Sequence, residues 1–265
     1  MRSCRAATTS TGWMLALGCA MSVALPQAAW ALDVANIEGG YPLALDDTRI
    51  LVDGEQTFTV GIGAPDALAE QTTEYLHIEV HQGFGSGFEV GFDGNLDNFH
   101  GNGDGWTGLE TQWVPGHFDP GEDAPFALRL ELDFDRTNGY LRGLGTAIGS
   151  MPIGGDSRLL LNVTTQLQEQ KGIAIRQEVT TLALGAVVPM HHWLGYDSVA
   201  LASVSWQEAV ERDQRDFLMV DAGLRMKLDD SFEIFAGVGT NLENQPDINA
   251  PIRMVVGGSW DITVD

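Results

Sequence analysis

The chain has 265 residues, with 37 acidic against 14 basic ones and a formal net charge of −23. That balance excludes nucleic acid as a partner, because a phosphate backbone is held by a basic footprint. Both cysteines, Cys4 and Cys19, fall in the first 31 residues, so the rest of the chain has neither a disulfide nor thiolate chemistry.

Residues 1–31 read as a secretory signal peptide. Arg2 and Arg5 precede an apolar run from Trp13 to Leu25, and Ala29-Trp30-Ala31 has small-x-small form, so cleavage is expected after Ala31. The run is too short for a membrane helix. Lipidation at Cys19 is the lesser alternative, since Ala16 stands where a lipobox has Leu. Removing Arg2 and Arg5 leaves 12 basic residues against 37 acidic, a formal charge of −25. No later apolar run reaches the ~18 residues of a membrane helix. A membrane-spanning form must therefore be a closed barrel.

Residues 32–55, with Gly39-Gly40, Pro42 and Asp46-Asp47, read as a periplasmic or lumen-contacting lead-in to a domain over 56–265. Alternation then begins. Phe58, Val60 and Ile62 share one side of a first strand. In the next, Leu76, Ile78 and Val80 oppose Tyr75, His77, Glu79 and His81. A tight turn at Gly83–Gly87 leads to Phe88, Val90 and Phe92, with Glu89 and Asp93 on the other face. Gly94–Gly105 reads as a polar loop, Trp106–Val114 as a strand and Pro115–Pro125 as a connector. Phe126, Leu128, Leu130, Leu132 and Phe134 alternate with Arg129, Glu131 and Asp133. A Gly-rich strand at Arg142–Ser150 and a turn at Pro152–Asp156 follow. Leu159, Leu161, Val163 and Leu167 then oppose Arg158, Asn162, Thr164, Gln166 and Gln168. The phase shifts near Gln177 within Gly172–Met190, where a β-bulge or break is expected. After Ser198–Glu208 comes the clearest hairpin, Phe217–Asn241, turning at Asp229-Asp230. A last strand lies within Pro251–Asp265.

Side chains alternate across a strand with period 2. About twelve such strands, most near the ~9–11 residues of a tilted membrane strand, predict an all-β, closed antiparallel transmembrane barrel. Short and longer connections alternate, as between periplasmic turns and external loops. The Pro115–Pro125 connector falls on the short-turn side by this count. A soluble acidic β-sandwich is the rival fold. The barrel is favoured by unlike charges along single polar faces and by apolar faces longer than the ~5–6 residues usual in soluble strands.

Several segments carry a family resemblance: TEYLHIEVHQGFGSGFEVGFDG, GDGWTGLETQWV, FALRLELDF, SRLLLNV and DAGLRMKLDDSFEIFAGVGTN. In these the chain resembles the outer-membrane barrels known as transporters of the meta-pathway of phenol degradation, over most of Gln56–Ile262. The resemblance implies a bacterial outer-membrane barrel passing or binding small, often hydrophobic molecules. Its implied partners are outer-membrane lipid, the barrel assembly machinery and a small-molecule ligand. Gly257, Trp260 and Ile262 keep the Gly-x-x-aromatic-x-apolar spacing of an insertion signal.

The candidate functional residues are the polar inner faces: His77, Glu79, His81, Arg129, Glu131, Asp133, Arg158, Asp221, Arg225, Lys227, Glu233 and Arg253. In lipid each charge would cost several kcal/mol, ~2–4 at mid-depth for Arg or Lys, so these residues are expected to line the lumen. His77, Glu79 and His81 stand about 7 Å apart on one face. Such a row could offer metal ligands, but polar lining is the preferred reading. Asp93, Asn95, Asp97 and Asp104 faintly echo a calcium loop, without the EF-hand glycine (Asn98 stands there) and with Asp104 in place of the final Glu. No cofactor, metal or catalytic group is implied. The six histidines, His191-His192 among them, form no pattern with a nucleophile. A hydrolytic barrel enzyme and a structural or adhesion barrel are the alternative functions.

Overall fold

The structure is a computed structural model, and it describes residues 45–64, 75–97, 105–116, 124–135, 139–168, 177–190, 196–209, 215–242 and 252–263. Twelve strands form it: β1 (Gln56–Ala64), β2 (Tyr75–Gly83), β3 (Phe88–Asp97), β4 (Trp106–Trp113), β5 (Phe126–Asp135), β6 (Tyr140–Gly154), β7 (Ser157–Gln168), β8 (Glu178–Pro189), β9 (Ser198–Gln207), β10 (Phe217–Lys227), β11 (Phe232–Asn241) and β12 (Ile252–Asp261). Each pairs antiparallel with its sequence neighbours, and β1 pairs with β12, so the sheet is a closed barrel with no helix among the described residues. Closure leaves the sheet without an edge strand.

The alternation sorts side chains by medium. Ile62, Phe92, Leu109, Leu130, Leu132, Leu161, Leu184, Val238, Met254 and Val256 are exposed on the outside, Leu130 at 62%. Charged residues at the alternate positions are buried inside. Aromatic side chains mark the short-turn end of the outer face: Phe88, Trp113 and Phe126 are exposed there. Phe58, Trp260 and Phe232 occupy one cross-strand row, with Trp260 stacked on Phe232 at 4.7 Å and tilted to Phe58 at 6.0 Å. A barrel in a bilayer carries such a girdle at its interfaces.

Three expectations from the sequence are corrected. Residues Gly94–Asp97 continue β3, pairing with Tyr75–Ile78, rather than opening the polar loop. The calcium-loop reading fails with them, since Asp93, Asn95 and Asp97 all lie in a strand; Asp104 lies outside the described residues. β6 runs on to Gly154, shrinking the Pro152–Asp156 turn, with a register shift between Pro152 and Gly154. Beyond Gly149, β6 has no strand partner on the β5 side. The missing Pro152 N–H is therefore tolerated on a free edge. Ile173 and Ile175, and so the phase shift ascribed to them, lie outside the described residues, as do His100, His117, His191 and His192; β8 begins at Glu178.

The short-turn end also holds both ends of the barrel domain. Glu55 leads into β1, and Ile262 N donates to Gln56 O at 2.9 Å. The Pro115–Pro125 connector belongs to this end as well. Val114 N donates to Gly87 O at 2.8 Å, and Val114 and Ala124 pack in a buried cluster with Ala127 and Ile148.

Candidate functional site

The candidate site is the barrel interior, and among the described residues the segment 45–55 crosses it at the short-turn end. Leu45 is buried in an apolar cluster with Leu160 of β7, Ala183 and Val187 of β8, and Val199 and Leu201 of β9. Nine residues on, Gly54 N donates to Gly83 O at the end of β2 (3.0 Å). In a ring of twelve, β2 and β8 stand six places apart. The segment therefore spans the mouth from one wall to the opposite one. Between these anchors, Asp47, Thr48 and Leu51 are buried, and Ile50 packs on the Val114–Ile148 cluster.

Charge holds the segment in place. Asp47 forms a bidentate pair with Arg158, both side chains having no exposed surface. Asp46 accepts from Arg129 at 2.8 Å. Leu51 N donates to Glu89 at 2.8 Å, and Gln112 Nε2 donates to Asp47 O at 2.8 Å. Backbone groups in a loop need partners when buried, and here strand side chains supply them.

Above this plug lies a polar network on β2–β6. His77 Nδ1 meets Asn95 Oδ1 at 2.8 Å and His77 Nε2 meets Glu79 at 2.9 Å. His81 stands between Glu89 (2.7 Å) and Glu110 (2.9 Å). Arg129 also pairs with Glu110. Arg142 donates to Asp133 from Nε at 2.6 Å and lies over the Trp106 ring, 5.4 Å from its centroid. Across the barrel, Arg225 pairs with Glu233, and Arg253 reaches Asp221 at 2.5 Å. Lys227 sits at the turn end, 3.3 Å from the exposed Asp230. His77, Glu79 and His81 thus share a face, on which His77 and Glu79 pair with each other while His81 is committed to Glu89 and Glu110. Glu131 stands beside Asp93 and Asp133.

The network is acidic. Seven carboxylates (Asp46, Glu79, Glu89, Asp93, Glu110, Glu131, Asp133) face Arg129, Arg142 and two histidines. As a formal count, with every carboxylate ionised, both histidines protonated and Asp46 of the plug in place, three negative charges are in excess.

Several of these residues had escaped sequence reasoning. Glu110 and Gln112 alternate with Leu109, Thr111 and Trp113, a legible signal in β4. Arg142 was hidden by the glycines around it. The roles of Asp46 and Asp47 had no periodic signal, because their partners lie 83 and 111 residues away.

No family model and no curated protein sequence matches the chain. Among solved structures it is similar to KdgM porin in complex with disordered oligogalacturonate (10% identity, TM-score 0.56), over 77% of this chain and 98% of that one. It is similar to NanC porin (11% identity, TM-score 0.54; 77% and 98% covered). It is similar also to an outer-membrane channel from Pseudomonas putida F1 (9% identity, TM-score 0.52; 82% and 98% covered). At these identities the likeness is one of fold, and the fold is the closed antiparallel barrel found in outer-membrane porins and channels.

Proposed function

We propose that this chain is a non-enzymatic outer-membrane barrel that passes small molecules, with residues 45–55 as a plug closing its periplasmic mouth. The observation that carries the reading is the plug itself, laid from β8–β9 to β2 inside a barrel whose outside is apolar and whose inside is charged. An apolar sheath of this kind is stable in lipid and not in water. Short turns and both ends of the barrel domain share one rim, the periplasmic side in barrels of this type. The barrel assembly machinery would insert it, and bilayer lipid would cover the Leu130 belt.

The interior narrows the cargo. An acidic oligosaccharide, such as the oligogalacturonate in complex with KdgM porin, would meet repulsion from the acidic network. Uncharged or cationic molecules would not. Inward-facing Leu160, Val187 and Leu201 suit a partly hydrophobic solute, in keeping with the resemblance to transporters of phenol degradation.

The test is planar-bilayer conductance of the chain from residue 32 against a chain lacking residues 32–54. The intact chain is expected to conduct rarely and the truncated one steadily, with cations favoured over anions through the acidic network. Recovery of the intact chain as a soluble periplasmic monomer, or a folded truncated barrel that does not conduct, would sink the reading.

A further inference from the structure

Three glycines of the inner face share one arrangement. In the strand register Gly91 lies between His81 and Glu110, Gly239 between Asp221 and Arg253, and Gly108 between Asp93 and Asp133. A Cβ at any of the three would strike side-chain atoms of these flanking residues. Adjacent strands are about 4.8 Å apart, so short side chains two strands away meet most directly where the strand between them presents no side chain. Over Gly91 the pair is a histidine and a carboxylate at 2.9 Å. Over Gly239 it is a carboxylate and a guanidinium at 2.5 Å. Over Gly108 it is two carboxylates.

Those two carboxylates are deeply buried, Asp93 at 2% and Asp133 at 1% exposure. Asp133 Oδ2 accepts from Arg142, but its Oδ1 has no hydrogen-bond partner, and neither has Asp93 Oδ1. Both orphan oxygens lie over Gly108. A buried carboxylate oxygen without a donor is costly, and two facing each other add repulsion. Glu131 completes the group, with one oxygen from each of the three residues within 4.8 Å of the others. In a calcium shell with oxygens at 2.3–2.6 Å from the ion, ligands lie up to about 5 Å apart.

We propose that Asp93, Glu131 and Asp133 bind one hard divalent cation, of the calcium class, over Gly108. The cation takes the place that an opposite charge fills over Gly91 and Gly239. All-oxygen ligands select hard ions over zinc or copper, and lumen water completes the shell. The site ties β3 to β5 across β4, at the long-loop end, away from the plug.

The test is calorimetric titration of the folded, detergent-solubilised chain with calcium chloride, beside its unfolding temperature with and without calcium. Saturable binding of one ion and a calcium-dependent rise in unfolding temperature are expected. Asp93→Asn and Glu131→Gln, each removing one charged ligand, should weaken binding at least tenfold and abolish the rise. Asp229→Asn, in the short β10–β11 turn, should change neither. Fold is checked by the mobility shift between unheated and boiled samples in SDS. Absence of saturable binding to the folded wild-type chain at millimolar calcium overturns the proposal. So does wild-type affinity in either folded ligand variant. Plug behaviour does not enter this assay, so its outcome is independent of the transport reading.

Discussion

Replacing Asp47 by alanine should unlock the plug. Asp47 and Arg158 form a pair with no exposed side-chain surface, and alanine would leave the Arg158 guanidinium buried without its carboxylate. Removing one partner of a buried pair costs about 3–5 kcal/mol. That cost falls on the docked state alone, because Arg158 is hydrated once the plug departs. At about 1.4 kcal/mol per tenfold, the open-to-closed ratio rises by about a hundredfold to a few thousandfold. Single-channel recording reads this directly as open probability. Asp46→Ala should do much less, within about 1 kcal/mol, since Asp46 is partly exposed and Arg129 keeps Glu110. The double variant Asp47→Leu/Arg158→Met should close again, because an apolar pair of similar volume replaces a buried ion pair at little net cost. If Asp47→Ala leaves conductance at the wild-type level while the truncated chain conducts, the pair is not what holds the plug.

Other consequences are as specific. Gly257→Val places a side chain against Val60 O and the Phe235 ring at the β1–β12 seam, so the SDS-resistant, heat-shifted band should disappear; Gly145→Ala, whose nearest neighbour is a Leu130 methyl at 3.6 Å, should keep it. Leu130→Arg at the middle of the exposed β5 face should lower folding stability in vesicles by ~2–4 kcal/mol, and Phe134→Arg near the strand end by ~0–1 kcal/mol, both read by denaturant titration. In the β10–β11 turn, Asp229 titrates below its ordinary 3.8, chiefly because Ser231 N donates to it at 2.9 Å. Its contribution to the turn is therefore present above pH 3.8 and lost as pH falls through the lowered value; carboxyl NMR should find that midpoint below 3.8 in the folded chain and closer to it in Ser231→Ala.

The barrel was legible because its wall obeys one local rule. In Phe126–Phe134 the large apolar residues Phe126, Leu128, Leu130, Leu132 and Phe134 alternate without a break, and each faces outward in the structure. The rule weakens where both faces are apolar. Leu160 shares the inner face with Arg158 and Asn162, and it is buried because Leu45 arrives from outside the sheet. Leu159 and Leu161 flank it on the outer face, so the run Leu159-Leu160-Leu161 could not show by itself that its middle member has a different partner. The glycine bridges were illegible for a related reason. Gly108 reads as a gap in a pattern, and its meaning appears only when the register sets Asp93 and Asp133 on either side of it. Strand pairing is a long-range fact, and so is every contact of residues 45–55.

The plug's own charge bears on the open pore. Asp46 and Asp47 neutralise arginines that belong to the wall, so when the segment swings out two negative charges leave with it. The vacated mouth then shows Arg158 without Asp47, and Arg129 without Asp46. An opened barrel is therefore not the closed one with an obstacle removed. It has an anion-attracting ring at the periplasmic rim and a cation-attracting region above, two filters in series where the closed state has only the second, and its current should rectify with the sign of the applied voltage.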